Sequence, residues 1–309
     1  LNISIIIPTY NYAAYIQQAI RSVFHQACVP GKVEVIVVDD GSTDHTAELM
    51  HGLQQVNNNL HYHVQPNAGK ASATRKGIEL ATGDIVCMLD ADDWFLPGKL
   101  ETISNIFVQY THVVHVASPA RIFWQNGSRE PVDEPIPPAL LGREMNGTEL
   151  LKTFYKRNML FGGGSTFAAR ASVLRQMPWS DAIDMYTDEW LLLSTLQQGN
   201  SYFLKEPLSV WRIHEKNYSG RGGESLKNKN NRLRQSSTAI VEMMQQHGYP
   251  QWLQDAYALK HATRLEHWKE TEGKKTIGDR WAFLRNILLC GRYPPRMLWA
   301  YRAYMRLFR

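Results

Sequence analysis

The chain has 309 residues, 44% of them hydrophobic and 20% charged, with a net charge of +5. That composition belongs to globular proteins and excludes a disordered or fibrous chain. Its three widely spaced cysteines, Cys28, Cys87 and Cys290, exclude a disulfide framework and a cysteine metal site, which suits a reducing compartment. No run of 18 apolar residues is present, so no membrane-spanning helix is predicted. The chain enters a strand without the pattern of a secretory leader. It starts at Leu1 rather than Met, which leaves open a segment ahead of it.

Ile3–Ile7 reads as the first strand, ended by Pro8. Apolar residues at Tyr12, Tyr15, Ile16, Ala19, Ile20, Val23 and Phe24 then follow a helical period. A strand over 33–38, a helix over 44–55, a strand over 60–64, a helix over 71–81 and a strand over 84–89 continue the alternation. Such an order predicts a parallel sheet with right-handed crossovers. After Pro97 a helix is expected to about Tyr110, then strands over 113–117 and 120–124. Asn126-Gly127 is a hairpin signal leading to 129–132. A helix capped by Thr148 runs to Arg157, Gly162-Gly163-Gly164 marks a loop, and Ser165–Ala169 reads as a strand. Thr187–Gln198 is helical, 202–204 and 208–213 are strands, and the pattern is helical from Ser225 onward. At this length a single core stops growing. We expect an α/β domain over 1–222, in halves 1–95 and 96–222, and a helical extension over 223–309.

The strand over 84–89 ends abruptly in Asp90-Ala91-Asp92-Asp93, three carboxylates within four residues. The strand over 33–38 likewise ends in Asp39-Asp40-Gly41-Ser42. One acidic strand end can be a helix cap: Asp40, Ser42 or Thr43 could cap the helix near Asp44. Two such ends in one sheet point instead to a ligand at the carboxyl edge of the strands. Carboxylates gathered there repel one another unless a positive group sits between them, and a divalent cation holding a diphosphate meets that need. The first strand leads into Pro8-Thr9-Tyr10-Asn11, not into a Gly-rich phosphate loop, which disfavours dinucleotide-dependent dehydrogenases and P-loop hydrolases.

Ile5-Ile6-Ile7-Pro8-Thr9-Tyr10-Asn11, Val37-Val38-Asp39-Asp40-Gly41-Ser42 and Leu89-Asp90-Ala91-Asp92-Asp93 occur in order. Together they resemble the family 2 glycosyltransferases, inverting enzymes of the GT-A fold. The resemblance covers about residues 1–220 and implies a nucleotide-binding half over 1–95 and an acceptor half over 96–222. It implies that Pro8, Thr9 and Tyr10 cradle the nucleotide base and that Asp39 hydrogen-bonds it. Asp90-Ala91-Asp92 matches the DXD motif, with Asp90 and Ala91 on the nucleotide side and Asp92 on a Mn²⁺ or Mg²⁺ that bridges the diphosphate. His214, in Trp211-Arg212-Ile213-His214, matches a residue that reaches the diphosphate or the metal; the alternative is an ordinary packed histidine. Gly163, Gly164 and Ser165 match the loop beneath the donor sugar, where a plain chain reversal is the alternative. Asp188 resembles the catalytic base, with neighbouring Glu189 as its rival and a helix-terminal acid as the structural alternative. One departure stands out: Thr74 and Arg75 occupy positions where the family has Arg and Asn. Lys70 or Arg75 is expected to replace the missing base or phosphate contact.

Residues 274–309 hold nine Lys and Arg against Asp279, a local charge of +8, so the rest of the chain carries −3. Aromatics interleave with these cations, as in helices that lie on membranes; a packed helix with a solvated basic face and a nucleic-acid surface are the alternatives. The reading is a metal-dependent inverting enzyme that moves a sugar from a nucleotide-diphosphate sugar, UDP-linked by preference, to a glycan or lipid-linked glycan. Its expected place is the cytoplasm at the inner face of the cell membrane, with no nucleic-acid partner. Its rivals are a non-catalytic sugar-nucleotide-binding scaffold and a sugar nucleotidyltransferase, and the latter would want a triphosphate loop after the first strand.

Overall fold

A computed structural model describes residues 1–26, 31–157, 159–215, 217 and 226–271. The basic segment 274–309 and Cys28 and Cys290 lie outside the described residues. The first part alternates β1 (Ile3–Thr9), α1 (Ala13–Phe24), β2 (Val33–Asp39), α2 (Thr46–Val56), β3 (Leu60–Val64), α3 (Lys70–Leu80) and β4 (Ile85–Met88). It continues with β5 (Trp94–Phe95), α4 (Lys99–Gln109), β6 (Val113–Ala117), β7 (Ala120–Trp124), β8 (Val132–Asp133), β9 (Arg143–Met145) and α5 (Gly147–Arg157). Then come β10 (Ala168–Arg170), α6 (Ala171–Leu174), α7 (Thr187–Leu196), β11 (Asn200–Phe203), β12 (Ser209–Ile213), α8 (Leu226–Gln246) and α9 (Gln251–Thr271).

The main sheet has the order β3-β2-β1-β4-β10-β6-β11-β9. Its first four strands are parallel, as the alternating pattern predicts. β1, β4 and most of β2 are buried on both faces, as strands covered by helices on both sides are, whereas β3 at the edge is only partly buried. β10 breaks the rule, pairing antiparallel with β4 and with β6. A second sheet, β5-β12-β7-β8, lies alongside. The helix α1 buries Ala13, Ile16, Ala19, Ile20 and Val23, the stripe that its sequence period marks. Each large member contributes about 1.5–3 kcal/mol by leaving water. α7 is instead buried all round from Glu189 to Leu196, so it has no solvent face.

Three local expectations shift. Residues 164–166 form a 3-10 turn ahead of the shorter β10. Asn146, not Thr148, caps α5, its side-chain oxygen accepting the Glu149 N–H at 3.2 Å. None of Asp40, Ser42 and Thr43 caps α2, whose N-cap position is His45; Asp44, just ahead, accepts the Thr46 N–H at 3.1 Å. Asp40 instead accepts the backbone N–H groups of Ala68 and Gly69, at 2.9 and 2.7 Å, and shapes the entry to α3.

The chain divides into two compact units, Leu1–Leu150 with Phe161–Gly222, and Leu151–Leu160 with Gly223–Arg309. The first is a mixed α/β body around the main sheet. The second is helical, and within it α8 and α9 bury Ile240, Met244, Leu253 and Tyr257.

Candidate active site

The chain runs outward from β1 to β3 and then returns, so that β4 pairs with the other side of β1. Order reversal of this kind opens a crevice at the carboxyl ends of the strands, here β1 and β4. Thr9 closes β1 in register with Asp39, and the Asp40 N–H donates to the Thr9 carbonyl at 2.9 Å. Pro8 pairs with Val38, and Tyr10 projects at the mouth, 44% exposed. The Thr9 hydroxyl is buried without a hydrogen-bond partner among the described residues, a polar atom that a ligand could satisfy.

Asp39 is buried, and both its oxygens are engaged. The Ser42 N–H donates to one at 2.8 Å and the Tyr62 hydroxyl to the other at 2.6 Å. Burial and the Asp39 carboxylate push the Tyr62 hydroxyl well above its ordinary value, so it stays a donor. Asn11, in the left-handed region at φ 58°, uses its side-chain oxygen to accept the Thr43 and Asp44 N–H groups. That bond joins the loops after β1 and β2 into one wall.

The carboxylates of Asp90 and Asp188 meet on one ammonium. Lys70 Nζ lies 2.8 Å from Asp90 Oδ1 and 3.2 Å from Asp188 Oδ1. The two acids hold Lys70 well above its ordinary value despite the desolvation that opposes them. Burial pushes Asp90 up to about 6, with Asp188 and Asp92 adding and Lys70 opposing. The geometry has a local origin: Asp184, in the 3-10 turn Asp181–Tyr186 before α7, accepts the Lys70 backbone N–H at 2.7 Å. That bond ties the start of α3 to the start of α7, where Asp188 sits 40% exposed while Glu189 is buried. The glycine loop runs beneath. A Cβ on Gly164 would lie 3.4 Å from Asp90 Oδ2 and 3.6 Å from Asp188 Oδ2, and one on Gly163 would meet Asp188 Cβ at 3.2 Å. Ala91, between Asp90 and Asp92, is buried in the core.

Asp92 faces a different group of donors. His214 Nε2 and Asn217 Nδ2 each lie 3.0 Å from Asp92 Oδ2. Because a carboxylate only accepts, Nε2 carries the imidazole proton and Nδ1 faces the Tyr15 hydroxyl at 3.3 Å. Arg212 anchors this corner from below. Its Nε–H donates to the Asp92 carbonyl at 2.7 Å, and its backbone N–H donates to Asp93 Oδ1 at 2.9 Å. Burial raises Asp93 well above the carboxylate range, and Asp92 and Asp90 add to the effect. Among the described residues no three His, Cys, Asp or Glu are arranged to hold a metal by themselves. The Asp92 carboxylate and the His214 imidazole, in contact across a single proton, are donor types that would fit a divalent cation.

Arg75 stands with Glu79 at 3.9 Å and Asp181 at 3.6 Å, and its ion pairs involve none of these clustered carboxylates. The floor of the glycine loop is held by His115, which is fully buried on β6. Its Nε2–H donates to the Gly162 carbonyl at 3.0 Å, and Nδ1 faces the Ser201 hydroxyl at 2.8 Å. Burial pulls His115 down to about 4. In the unfolded chain the ring takes up a proton near 6.5, so between pH 6.5 and 4 the unfolded state binds more protons. Stability therefore falls as pH drops through that window, by about 2 kcal/mol at pH 5. Urea midpoints at pH 7 and pH 5 should fall more for the wild-type chain than for His115→Gln. Equal losses in the two proteins would remove His115 as the titrating group.

A family model described as glycosyl transferase family 2 matches residues 4–177, more than half of the chain. The chain belongs to glycosyl transferase family 2. The matched stretch contains Pro8–Tyr10, Asp39, Asp90–Asp92 and the glycine loop. An uncharacterized glycosyltransferase of Nostoc sp. is 32% identical over 220 residues, covering 70% of this chain and 66% of that protein. The putative teichuronic acid biosynthesis glycosyltransferase TuaG of Bacillus subtilis is 36% identical over 100 residues, 32% of this chain and 39% of that one. The chain thus spans less than two thirds of the length of these relatives. Among solved structures, S. aureus TarS 1–349 in complex with UDP-GlcNAc superposes with a TM-score of 0.65 at 17% identity, over 93% of this chain and 80% of TarS. The fold of this chain is accordingly GT-A-like, with a helical C-terminal part. The sequence alone did not mark Tyr62, Arg212 and Asn217 as partners of the site acids, or Asn11 as the link between the loops after β1 and β2. Asn217 had a signal, since it follows His214 by three residues.

Proposed function

We propose that this glycosyltransferase moves a sugar from a UDP-sugar to a glycan or lipid-linked glycan hydroxyl, with inversion and with a divalent cation. One observation carries the reading: Asp90 and Asp188, from distant segments, meet on Lys70, and the glycine loop packs against both carboxylates. UDP is favoured because TarS, which shares the fold, binds UDP-GlcNAc. A polysaccharide acceptor is favoured by the similarity to TuaG, a putative teichuronic acid biosynthesis glycosyltransferase.

In this reading Thr9, Tyr10 and Asp39 hold the uracil end, with Pro8 shaping the loop, and Asp90 faces the ribose. Lys70 supplies the contact that Thr74 cannot. Asp188 accepts the proton of the acceptor hydroxyl, and the freed oxygen attacks the anomeric carbon from the face opposite the diphosphate. The bond from that carbon to the diphosphate oxygen breaks, and UDP departs. Asp92 and His214 would hold the cation, which when bound offsets the charge of the departing diphosphate. Gly163, Gly164 and Ser165 leave room beneath the sugar, and buried Glu189 packs behind Asp188. UDP release from UDP-GlcNAc should stop in chelator and return with Mn²⁺ or Mg²⁺. Full release in chelator would reject the cation.

The basic stretch 274–309 is proposed to rest on the inner, anionic face of the cell membrane. Among the described residues no helix is long and apolar enough to cross one. At about 1 kcal/mol per basic residue near such a surface, a local charge of +8 would suffice. The full chain should float with anionic liposomes at low salt and a chain ending at Gly273 should not. Equal behaviour of the two would end the membrane reading.

A further inference from the structure

Lys99, the first residue of α4, is fully buried although it carries a charge. Its Nζ donates to the Ser165 carbonyl at 2.8 Å and to the Ser209 hydroxyl, and that hydroxyl donates to the same carbonyl at 2.6 Å. The ammonium also lies 4.2 Å from the centre of the Phe95 ring. It forms no ion pair within 4 Å among the described residues. A buried ammonium carries a desolvation penalty that an apolar side chain of similar length would avoid. Stability therefore does not explain Lys99, and its partners do.

Ser165 ends the glycine loop, and it is also the link to the acidic turn. Its hydroxyl donates to Asp93 Oδ2 and accepts the Asp90 N–H at 3.0 Å. Ser209 starts β12, which three residues later brings Arg212 to Asp92 and Asp93. One buried ammonium thus joins the loop beneath the proposed donor sugar, the turn that carries Asp90 and Asp92, and the strand that carries Arg212. We propose that Lys99 is a positioning residue for the donor sugar, holding Ser165, and with it Gly164, against the Asp90–Asp93 turn at the spacing that receives the sugar. Burial pulls Lys99 down to about 8, with Cys87 and Asp93 opposing, so the ammonium persists at pH 7. The inference rests on the donor-site reading above. It adds a residue that touches neither nucleotide nor sugar.

The test compares UDP with UDP-GlcNAc, because UDP lacks only the part that the loop receives. In Lys99→Met, which keeps the bulk and removes the charge, the melting temperature should stay near that of wild type and UDP affinity should hold within about twofold. UDP-GlcNAc affinity and the rate of UDP release should each fall about tenfold or more, since displacements of an ångström at a reacting centre have effects of that size. Ser209→Ala, which removes one partner of the ammonium with little change in volume, should move the same two quantities by about threefold. A folded Lys99→Met with wild-type UDP-GlcNAc affinity and turnover overturns the inference, as does an equal loss for UDP and UDP-GlcNAc. If Lys99→Met does not fold, wild-type behaviour of Ser209→Ala overturns it. A wild-type chain that binds neither nucleotide contradicts the donor-site reading itself and takes this inference with it.

Discussion

Replacing Asp188 by Asn should abolish sugar transfer, lowering kcat by about 10²–10⁴-fold, while UDP-sugar affinity stays within a few-fold. The range is what a positioned general base contributes. The split between kcat and affinity follows from the role, because the base meets only the acceptor proton. Asp188 stands at the first turn of α7 with its carboxylate exposed toward Lys70, whereas the Glu189 side chain is turned into the interior. Asparagine keeps the shape and can still accept from Lys70 at 3.2 Å, so the start of α7 should remain in place. Steady-state kinetics and direct binding of UDP-GlcNAc on the two variants decide the assignment. Near-native turnover in Asp188→Asn together with loss in Glu189→Gln would move the base by one residue.

The second large effect belongs to Asp92. In Asp92→Asn the amide oxygen can still accept from His214 and Asn217, both at 3.0 Å, so the corner built by Arg212 should persist. What disappears is the charge. Affinity for Mn²⁺ in the presence of UDP should fall by at least about a hundredfold, since changes outside the ligand shell already reach that size. UDP affinity should fall with it, because the two ligands share the site. The comparison is a Mn²⁺ titration of UDP binding in wild type and variant. An unchanged Mn²⁺ midpoint would exclude Asp92 as a ligand.

The parallel β1, β2 and β4 were legible because each is an apolar run, which two faces covered by helices demand, and β2 and β4 end in carboxylates. Asp39, Asp90 and Asp92 were legible for the same reason: charge at the end of a buried strand needs a use. β10 was less so, since an antiparallel strand of three residues after a glycine loop leaves little periodicity. The duty of Asp40 was ambiguous in sequence. A carboxylate near a helix start is a cap by local rules, and only the approach of residues 65–69 shows that it serves α3 instead. Lys70 drew notice as a substitute for the Arg that Thr74 replaces. That it binds Asp90 and Asp188 together depends on Asp184 reaching across from the turn before α7. Nothing in the sequence singles out Lys99, which opens a helix after Pro97-Gly98. Its burial is set by β12 and the Gly164–Thr166 turn, both more than sixty residues away in sequence.

The account stands most directly on whether this crevice binds a uridine diphosphate through a cation. Calorimetric titration of UDP into the wild-type chain, with Mn²⁺ and again in chelator, measures it. The account predicts saturable binding with Mn²⁺ that is lost in chelator. Equal affinity in chelator, or no binding of UDP under either condition, would contradict it.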